Sequence, residues 1–330
     1  MRRFLCAFVS SVSLFLASCD VHEWPEMPVK VNFVINLEYQ TEMTIWEFSY
    51  EDGRLTEQGT GISYDNRLDS GRIRHIVRAY PLSAGQRYAG SYSDEYIFIS
   101  DISDGYDCEL EIALQAGDYR IMVWSDLIQS VEDAYFYNAG NFSEITLQGA
   151  YRGDTDYRDA FRGVGDISLA ASIVDQVPES LEISMQRPLA KYEFISTDLQ
   201  DFSATDVSLD KCIGQFVYAG FVPCSYDMVS DSPNDAFCGM SFESAPEPLS
   251  FDMASLGFDY VFVNGKPSAV DVCVGLYDAD GHQVAMTGYI QVPLKRNRHT
   301  VIKGPFLMMQ ASGGIRINPI FDGNYNIVIE

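Results

Sequence analysis

Apolar and polar residues alternate along most of this chain, in short runs separated by turn-forming residues. In the first run, Val29, Val31, Phe33, Ile35 and Leu37 alternate with mostly polar residues. A period of two residues is typical of a β-strand with one buried face, and no long stretch keeps the helical period. The pattern predicts these strands: Val29–Leu37, Thr44–Tyr50, Ile73–Leu82, Glu109–Gln115, Tyr119–Asp126, Ile145–Leu147, Gly165–Ala171, Leu189–Ile195, Gln215–Phe221, Tyr260–Val263, Val270–Tyr277, Gln283–Val292 and Asn324–Ile329.

Turn-forming residues predict how some of these strands are joined. Ala116-Gly117-Asp118 predicts a hairpin, and Asn264-Gly265 is a hairpin-turn dipeptide. Asp278 to Gly281 predicts a turn that lets the flanking strands pair. Residues 223–250 are rich in Pro, Ser and Asp and are interpreted as a long surface loop, and residues 155–162 as a short helical turn at most.

Many short strands separated by turns predict an all-β chain made of β-sandwiches. A second series of strands begins after Ser184 to Pro188, and the length suits two domains of ordinary size. The predicted division is a signal peptide at 1–18, a lipidated tether at 19–28, an N-terminal sandwich at 29–184 and a C-terminal sandwich at 185–330.

The N-terminus has the parts of a lipoprotein signal. Arg2 and Arg3 precede an apolar run from Phe4 to Leu16, which is too short to span about 30 Å of hydrocarbon comfortably. The run ends in Leu16-Ala17-Ser18-Cys19, a small-residue pattern that predicts cleavage before Cys19 and lipidation of its thiol. Several acyl chains on Cys19 would give stable anchoring in a membrane. The alternative is an ordinary signal peptide with a chance cysteine at its end.

The charge of the chain narrows its partners. The formal net charge of the chain is −25. Cleavage of the signal segment would remove Arg2 and Arg3 and make the mature protein still more negative. Such acidity disfavours binding to nucleic acid, whose phosphates require Lys and Arg. It also disfavours adhesion to an anionic lipid surface.

Five cysteines remain after the signal segment and Cys19 are set aside: Cys108, Cys212, Cys224, Cys238 and Cys273. The odd number requires at least one free thiol or an intermolecular bond. A disulfide among the three central cysteines is one possibility in an exporting compartment, and buried free thiols are the other. Their spacing does not suit zinc.

Six segments spread along the chain carry a resemblance to known proteins: Asp118–Asp126, Tyr157–Gly163, Arg187–Phe194, Gly257–Gly265, Val292–Asn297 and Gly313–Pro319. Together they resemble a family of lipoproteins from gut and oral Bacteroidales. That family is similar to the FimB/Mfa-type anchor and minor subunits of type V fimbriae. The acidic residues Asp20, Glu23 and Glu26 also resemble the surface-export signal of Bacteroidetes lipoproteins, which implies the outer membrane.

The resemblance implies two tandem transthyretin-like (Greek-key) β-sandwich domains. It also implies subunits that join by strand exchange, in which shaft subunits lose their first strand to an arginine-directed protease. No arginine lies between Cys19 and Arg54, which favours an anchor that keeps its N-terminus. The strand-exchange candidates at this end are Val31, Phe33 and Ile35.

The C-terminus offers a second strand-exchange candidate. Tyr325, Ile327 and Ile329 alternate with neighbouring residues in the pattern of a strand. An edge strand with unpaired N–H and C=O groups can accept such a segment from another chain. The alternative is that this strand completes its own sheet.

Motifs for catalysis were not found. The chain has no HExxH, no GxSxG and no glycine-rich phosphate loop, and its four histidines are far apart. No cofactor and no metal is predicted. Asp101 to Asp107 and Asp278 to Gly281 are interpreted as solvated turns, because they lack the spacing of a calcium loop. We therefore do not predict an enzyme.

One aromatic cluster offers a different function. Tyr135, Phe136 and Tyr137, with Tyr92 and Tyr96, are candidates for stacking on carbohydrate. The alternative is that these rings form buried core. The leading functional hypothesis is a lipid-anchored fimbrial anchor or accessory subunit that joins pilin-like partners by β-strand addition. The alternative hypothesis is a surface lipoprotein that binds a glycan or host ligand.

Overall fold

The computed structural model describes residues 30–82, 91–128, 135–170 and 179–309. These residues form strands, one short helix, α1 (Leu199–Ser203), and three single 3₁₀ turns at Ile102–Asp104, Asp156–Arg158 and Leu209–Lys211. The strands in chain order are β1 (Lys30–Tyr39), β2 (Glu42–Glu51), β3 (Arg54–Asp65), β4 (Arg72–Pro81), β5 (Asp94–Asp101), β6 (Cys108–Gln115), β7 (Gly117–Ile128), β8 (Tyr137–Asn138), β9 (Ile145–Leu147), β10 (Ala160–Leu169), β11 (Glu179–Met185), β12 (Leu189–Ser196), β13 (Ile213–Ala219), β14 (Phe221–Asp227), β15 (Ser232–Cys238), β16 (Ser241–Ser244), β17 (Glu247–Pro248), β18 (Ala254–Phe262), β19 (Ser268–Tyr277), β20 (Gln283–Met286), β21 (Ile290–Leu294) and β22 (Arg298–Gly304).

The first sandwich consists of a three-stranded sheet, β11-β1-β6, and a four-stranded sheet, β10-β7-β4-β5. Apolar side chains at alternate positions of both sheets face each other and exclude water, which is the main stabilising contribution of such a core. The fully buried members include Phe33, Ile35, Leu114, Ile121 and Phe161.

The second sandwich consists of a six-stranded sheet, β17-β18-β12-β22-β2-β3, and a smaller sheet, β16-β13-β19-β20, in which β21 also pairs with β19. Its core is rich in aromatic rings. Phe216 and Phe242 stack with centroids 4.6 Å apart, and Phe194 meets Phe216 edge to face. Burial of such rings contributes more than their area alone because edge-to-face and offset pairs attract.

A third apolar cluster joins the two sandwiches. The outward side chains of β4 and β7 pack against those of β12 and β18, together with a small sheet of order β15-β14-β9-β8. Trp124, Tyr137, Tyr226 and Phe262 lie in this cluster and are at most 1% exposed. We call this region the junction. The predicted all-β class and the predicted β-sandwiches are confirmed.

The sheets do not divide where the sequence predicted a domain boundary. Strands β2 and β3 come from the predicted N-terminal domain, 29–184, yet both lie in the large sheet of the second sandwich, where β2 pairs with β22 and β3 pairs with β2. The segment 42–65 is therefore part of a sheet whose other strands come from the predicted C-terminal domain, 185–330. Alternation specifies which face of a strand is buried and not which sheet it joins.

Two predicted hairpins are wrong. Strands β6 and β7 flank Gly117 but lie in different sheets, and so do β18 and β19 around Asn264-Gly265. Each connection is a corner that carries the chain from one sheet to the other. Both strands of each pair still supply the same core, so the alternating pattern is identical for a corner and a hairpin. The predicted pairing across Asp278 to Gly281 is confirmed, since β20 and β21 both pair with β19.

The long loop predicted at 223–250 is also wrong. That segment contains β14, β15, β16 and β17. The strands are short, and β15 is polar and half exposed, so its composition is that of a surface. Strands β3, β5, β8, β11 and β22 were missed. In β3 the cause is that only a few positions of this glycine-containing edge strand are covered.

Three expectations fall outside the described residues. They are the signal peptide with Cys19, the tether at 19–28 and the C-terminal strand Asn324–Ile329. Within the part of the chain that is described, no helix is long and apolar enough to cross a membrane.

Candidate strand-addition site

Strand β1, which carries three of the predicted exchange residues, is the central strand of its sheet. It runs parallel to β11 from Phe33 to Tyr39 and antiparallel to β6 from Lys30 to Leu37. Its backbone groups therefore have partners on both sides. The strand is paired within its own sandwich.

The exchange candidates lie on the core face of β1. Phe33 and Ile35 are 0% exposed, and Val31 is partly buried against the same core. Moving them into water would expose roughly the area of two or three large apolar side chains, at a cost of about 1.5–3 kcal/mol each. The structure brings these three residues together. Tyr325, Ile327 and Ile329, like Cys19, lie outside the described residues.

The C-terminal end of β1 is fastened by Tyr39. Its hydroxyl donates to Ser125 Oγ at 2.7 Å and lies 2.8 Å from His75 Nδ1. The backbone N–H of Tyr39 donates to Asp107 Oδ1 at 2.7 Å. At the other end, Lys30 Nζ pairs with Asp94 at 3.0 Å on the surface. Both ends of the strand are thus held by side chains of the facing sheet or its connections.

His75 lies at the centre of a polar cluster inside the first sandwich. It is 0% exposed, and its Nε2 lies 2.8 Å from Ser100 Oγ. Burial lowers the pKa of His75 to about 4, because the low-dielectric interior disfavours the charged ring. Burial also raises the pKa of the neighbouring Cys108 thiol to about 11. Both groups are neutral at physiological pH, so the cluster fixes β1 by hydrogen bonds and not by charge.

The aromatic ligand-stacking candidates are mostly unavailable. Phe136 is 4% exposed and Tyr137 is 0% exposed, because both fill the junction. Tyr135 is only partly covered, but the guanidinium of Arg74 lies 3.7 Å from its ring centre. The prediction that the three rings form a stacking platform is therefore wrong for Phe136 and Tyr137. The faces of these two rings are buried where the two sandwiches pack together, and the sequence does not reveal this packing.

Charged residues that sequence reasoning did not single out meet in the junction. Arg158 donates to Asp259 Oδ1 at 2.6 Å, and both side chains are at most 2% exposed. The hydroxyls of Tyr151 and Tyr218 each donate to Asp259 Oδ2 at 2.6 Å. Burial raises the pKa of Asp259, while Arg158 and the two hydroxyls lower it.

A second buried pair ties the end of β1 to this junction. Arg187 donates to Asp159 Oδ2 at 2.7 Å and to the carbonyl of Gln40, just after β1, at 3.1 Å. Lys191 pairs with Asp156 at 2.8 Å nearby. The charged residues of the two buried pairs, and those of the Lys191–Asp156 pair, lie in or directly beside the segments Tyr157–Gly163, Arg187–Phe194 and Gly257–Gly265 that carry the family resemblance. A charged residue inside an apolar run, such as Asp259 in Phe-Asp-Tyr-Val, was the available signal.

The cysteines and acidic turns do not form a further site. Cys108, Cys212, Cys224, Cys238 and Cys273 are all free, and Cys238 alone among these five is exposed. The open question of a disulfide is therefore answered in favour of free thiols in this structure.

The acidic turn at Asp278 uses its carboxylate internally. Asp278 Oδ1 accepts from the backbone N–H groups of Asp280 at 2.9 Å and His282 at 2.8 Å. Although Asp278, Asp280 and His282 could approach a common ion, they lie at the surface, and these bonds are those of a solvated turn. At the other acidic segment, Asp101 caps the 3₁₀ turn through Ser103 N.

Comparisons with known proteins place the chain in one family and near several structures. The model of a family of unknown function, DUF6562, matches residues 27–330. No curated protein matches the chain. Among solved structures, the fimbrial anchor protein Mfa2 from Porphyromonas gingivalis is similar, with 12% identity, a TM-score of 0.39, and coverage of 78% of this chain and 82% of that chain.

Two structures from Bacteroides are similar at the same level. A putative cell adhesion protein from Bacteroides eggerthii has 10% identity and a TM-score of 0.40, covering 86% of this chain and 90% of that chain. A structure from Bacteroides thetaiotaomicron described as putative polysaccharide binding proteins has 10% identity and a TM-score of 0.43, covering 78% and 79%. A fimbrial anchor protein is thus among the structures that this chain resembles, as the sequence segments predicted.

Proposed function

The chain belongs to the DUF6562 family, and from its own residues we propose that it is a lipid-anchored anchor or accessory subunit of a fimbria, which joins pilin-like subunits by β-strand addition. It is held in the outer membrane by acyl chains on Cys19. The observation that supports this proposal most directly is the position of β1, which begins shortly after the tether and is bonded on both sides.

A central strand is a suitable mechanical link between a lipid and a fold. A pull on the tether acts along the axis of β1, and the inter-strand hydrogen bonds run across that axis. The bonds to β6 and β11 therefore resist the load together rather than one after another. Tyr39 adds its bonds to Ser125 and His75 at the far end.

The same geometry supports a terminal subunit rather than a shaft subunit. A shaft subunit must give up its first strand so that a neighbour can replace it. Here the loss of β1 would uncover the inner edges of both β6 and β11 and the core around Phe33 and Ile35. The absence of arginine between Cys19 and Arg54 agrees with retention of the strand.

The role of the lipid is tested by Cys19→Ala in the native host. We expect the variant to leave the outer membrane, and fimbriae to be released into the medium. Cys238→Ala is the matched control, since it removes an exposed thiol that takes no lipid. Recovery of no fimbrial subunit with the wild-type protein from outer-membrane extracts would sink the proposal.

Retention of β1 is tested by a covalent link. Val34 and Glu111 lie directly opposite each other on β1 and β6, and opposite positions on neighbouring strands are close enough for a disulfide. Val34→Cys with Glu111→Cys should leave fimbrial assembly at the wild-type level, and Val34→Cys alone is the control. Loss of assembly in the oxidised double variant, restored by reduction, would mean that β1 leaves the fold.

A second candidate function is carbohydrate binding at a small cleft in the second sandwich. The cleft has a volume of about 380 Å³ and is lined by Tyr50, Tyr289, Gln291 and Leu55, among others. Tyr289 is 41% exposed, so one ring is available for stacking. Glycan-array binding that is lost in Tyr289→Ala and kept in Tyr92→Ala would favour this function over the first.

A further inference from the structure

On one side of the first sandwich, two strand edges have no partner strand within the part of the chain that the structure describes. In the described residues β5 ends its sheet and pairs only with β4, and β6 ends the other sheet and pairs only with β1. The hydroxyl of Tyr96 on β5 donates to the carbonyl of Ala113 on β6 at 2.6 Å, so the two edges lie side by side. We call this place the β5/β6 seam.

The β5 edge is regular and apolar. All eight residues of β5 keep register with β4, without a bulge. Ile97 is 59% exposed and Ile99 is 46% exposed. Ile97 lies opposite Ile76, which is buried in the junction, so Ile97 continues an apolar row, whereas Ile99 lies opposite Arg74, which is paired with Asp126. A regular apolar edge of this kind is a template for another strand unless it is covered.

Another long open edge in the described chain, that of β3, lacks these properties. Strand β3 is shifted in register against β2 at two places and contains Gly59 and Gly61. Bulges and glycines twist an edge away from further pairing. Of the two, β5 is therefore the better acceptor.

The charge around the β5/β6 seam indicates which kind of segment would bind there. From Asp94 to Glu111, which covers β5, most of the connection and the start of β6, the chain has seven carboxylates and no Lys or Arg. In the described residues Asp94 pairs with Lys30 and Glu95 with Arg78, and Arg72 on β4 lies opposite Asp101. Glu109 and Glu111 are exposed on β6. A basic segment is attracted to such a field, whereas a second copy of this chain would bring seven more carboxylates against it.

We propose that the β5 edge binds an extended segment of a partner protein in which apolar side chains alternate with Lys or Arg. The segment adds a strand to the sheet beyond β5. Its apolar side chains cover Ile97 and Ile99, and its basic side chains lie near the carboxylates of the seam. This inference refines the proposed function, because it names the edge and the chemistry of a strand that is added to this subunit.

The test uses the full chain in a nonionic detergent and three ten-residue peptides. One alternates valine and lysine, the second alternates valine and glutamate, and the third is the first with prolines at two central valines. Fluorescence anisotropy should show that the valine–lysine peptide binds at least ten times more tightly than either of the others. Its affinity should fall as salt is raised. Equal binding of the proline peptide would overturn strand addition.

Variants locate the site. Ile97→Lys and Ile99→Lys, both at exposed positions, should each weaken the valine–lysine peptide at least tenfold. Val164→Lys is the matched control, because Val164 is 37% exposed on the opposite edge strand of the same sheet, and its binding should stay within twofold of wild type. Hydrogen exchange should show new protection over 95–101 on binding. Protection elsewhere, or no effect of either isoleucine variant, would overturn the proposal.

Sedimentation tests whether a second copy of this chain, instead of a basic partner, occupies the β5 edge. Two copies of the wild-type chain should not associate through the β5/β6 seam at any concentration tested. A dimer that disappears in Ile97→Lys would assign the edge to a second copy and overturn the basic partner. Because these measurements need neither a membrane nor a fimbria, they can fail while the fimbrial role stands. The reverse result, peptide binding without fimbrial subunits in the extracts, would leave this site valid and remove the fimbrial role.

Discussion

Arg158 and Asp259 are 101 residues apart in the sequence and form a 2.6 Å charged hydrogen bond in the junction, where both are almost completely buried. Asp259 also accepts from two tyrosine hydroxyls, and Arg158 donates to the carbonyls of Arg152 at 3.0 Å and Tyr260 at 2.9 Å. A buried pair gains stability as its other hydrogen-bonding groups find partners, and of the side-chain nitrogen and oxygen atoms of this pair only Arg158 Nε has none. The pair therefore fixes how the second sandwich lies against the segment that precedes β10.

Breaking this pair should be strongly destabilising. Arg158→Leu leaves the carboxylate of Asp259 without its cation, so we expect a loss of about 3–5 kcal/mol in the free energy of unfolding. Urea denaturation followed by fluorescence measures it. Asp166→Asn, which breaks the surface pair with Arg120, is the control and should cost less than about 1 kcal/mol, since Asp166 is 52% exposed. Equal losses in the two variants would contradict the buried role.

His75 should make the protein less stable in mild acid. The unfolded chain takes up a proton as the pH falls through about 6.5, whereas the folded chain does so only near the lowered pKa of about 4. The unfolded state therefore binds more protons in this window, and stability falls as the pH drops from 6.5 to 4. The largest loss from this residue is roughly 3 kcal/mol.

The contribution of His75 is isolated by substitution. His75→Gln removes the titrating ring, and we expect the slope of unfolding free energy against pH to flatten between pH 6.5 and 4. His282→Gln removes a histidine whose side chain is 78% exposed and serves as the control. If the wild-type and His75→Gln curves stay parallel across this window, the buried neutral ring is not what makes the protein acid-sensitive.

Tyr39 should govern how easily β1 opens. Tyr39→Phe removes the hydroxyl that bonds to Ser125 and His75, and loss of such bonds in a core costs about 1–3 kcal/mol. Hydrogen exchange of the amides in Lys30–Tyr39 should become faster, by a factor that matches the loss in stability. Tyr92→Phe, at a ring that is 44% exposed, should leave the exchange unchanged. Unchanged protection of β1 in Tyr39→Phe would show that the strand is held by its backbone bonds alone.

These sites differ in how far they follow from the sequence. The buried face of β1 was predictable, because Val31, Phe33 and Ile35 alternate with polar residues and the period alone assigns the face. The partners of β1 were not, since a strand pattern is the same whatever sheet it joins. The corner at Gly117 shows this, because its strands have the composition of a hairpin and enter different sheets.

The junction was the part least accessible to sequence reasoning. The sequence is compatible with Phe136 and Tyr137 as an exposed cluster or as buried core, and strands of the second sandwich cover them. Arg158 and Asp259 are far apart in the chain, and nothing local relates them. Contacts between two sandwiches depend on how whole sheets pack, which short-range patterns do not encode.

Reactivity of the thiols should separate one cysteine from the rest. Cys238 is exposed, whereas burial raises the pKa of the thiols of Cys108, Cys212, Cys224 and Cys273. Since the thiolate is the reactive form, we expect one fast thiol and four slow ones in the native chain after Cys19. Cys238→Ser should remove the fast phase, which is measured with a thiol-specific chromogenic reagent. A fast phase that survives this substitution would contradict the burial of the other four.

Gly163 should be required where the two sheets of the first sandwich approach each other. A Cβ at Gly163 would lie 2.5 Å from Met185 Sδ and still closer to Ile183. Both residues lie in β11, the strand that pairs with one side of β1. Gly163→Ala must therefore push β11 away from β10, and we expect a loss of about 1–3 kcal/mol together with faster exchange in β1. Gly288→Ala is the control, because nothing lies within 4 Å of its Cβ. Since the clash acts on β11 and not on β1 directly, faster exchange in β1 would show that the retention of the first strand depends on the closed β10/β11 side of the sandwich. Unaltered exchange would mean that β6 alone holds it.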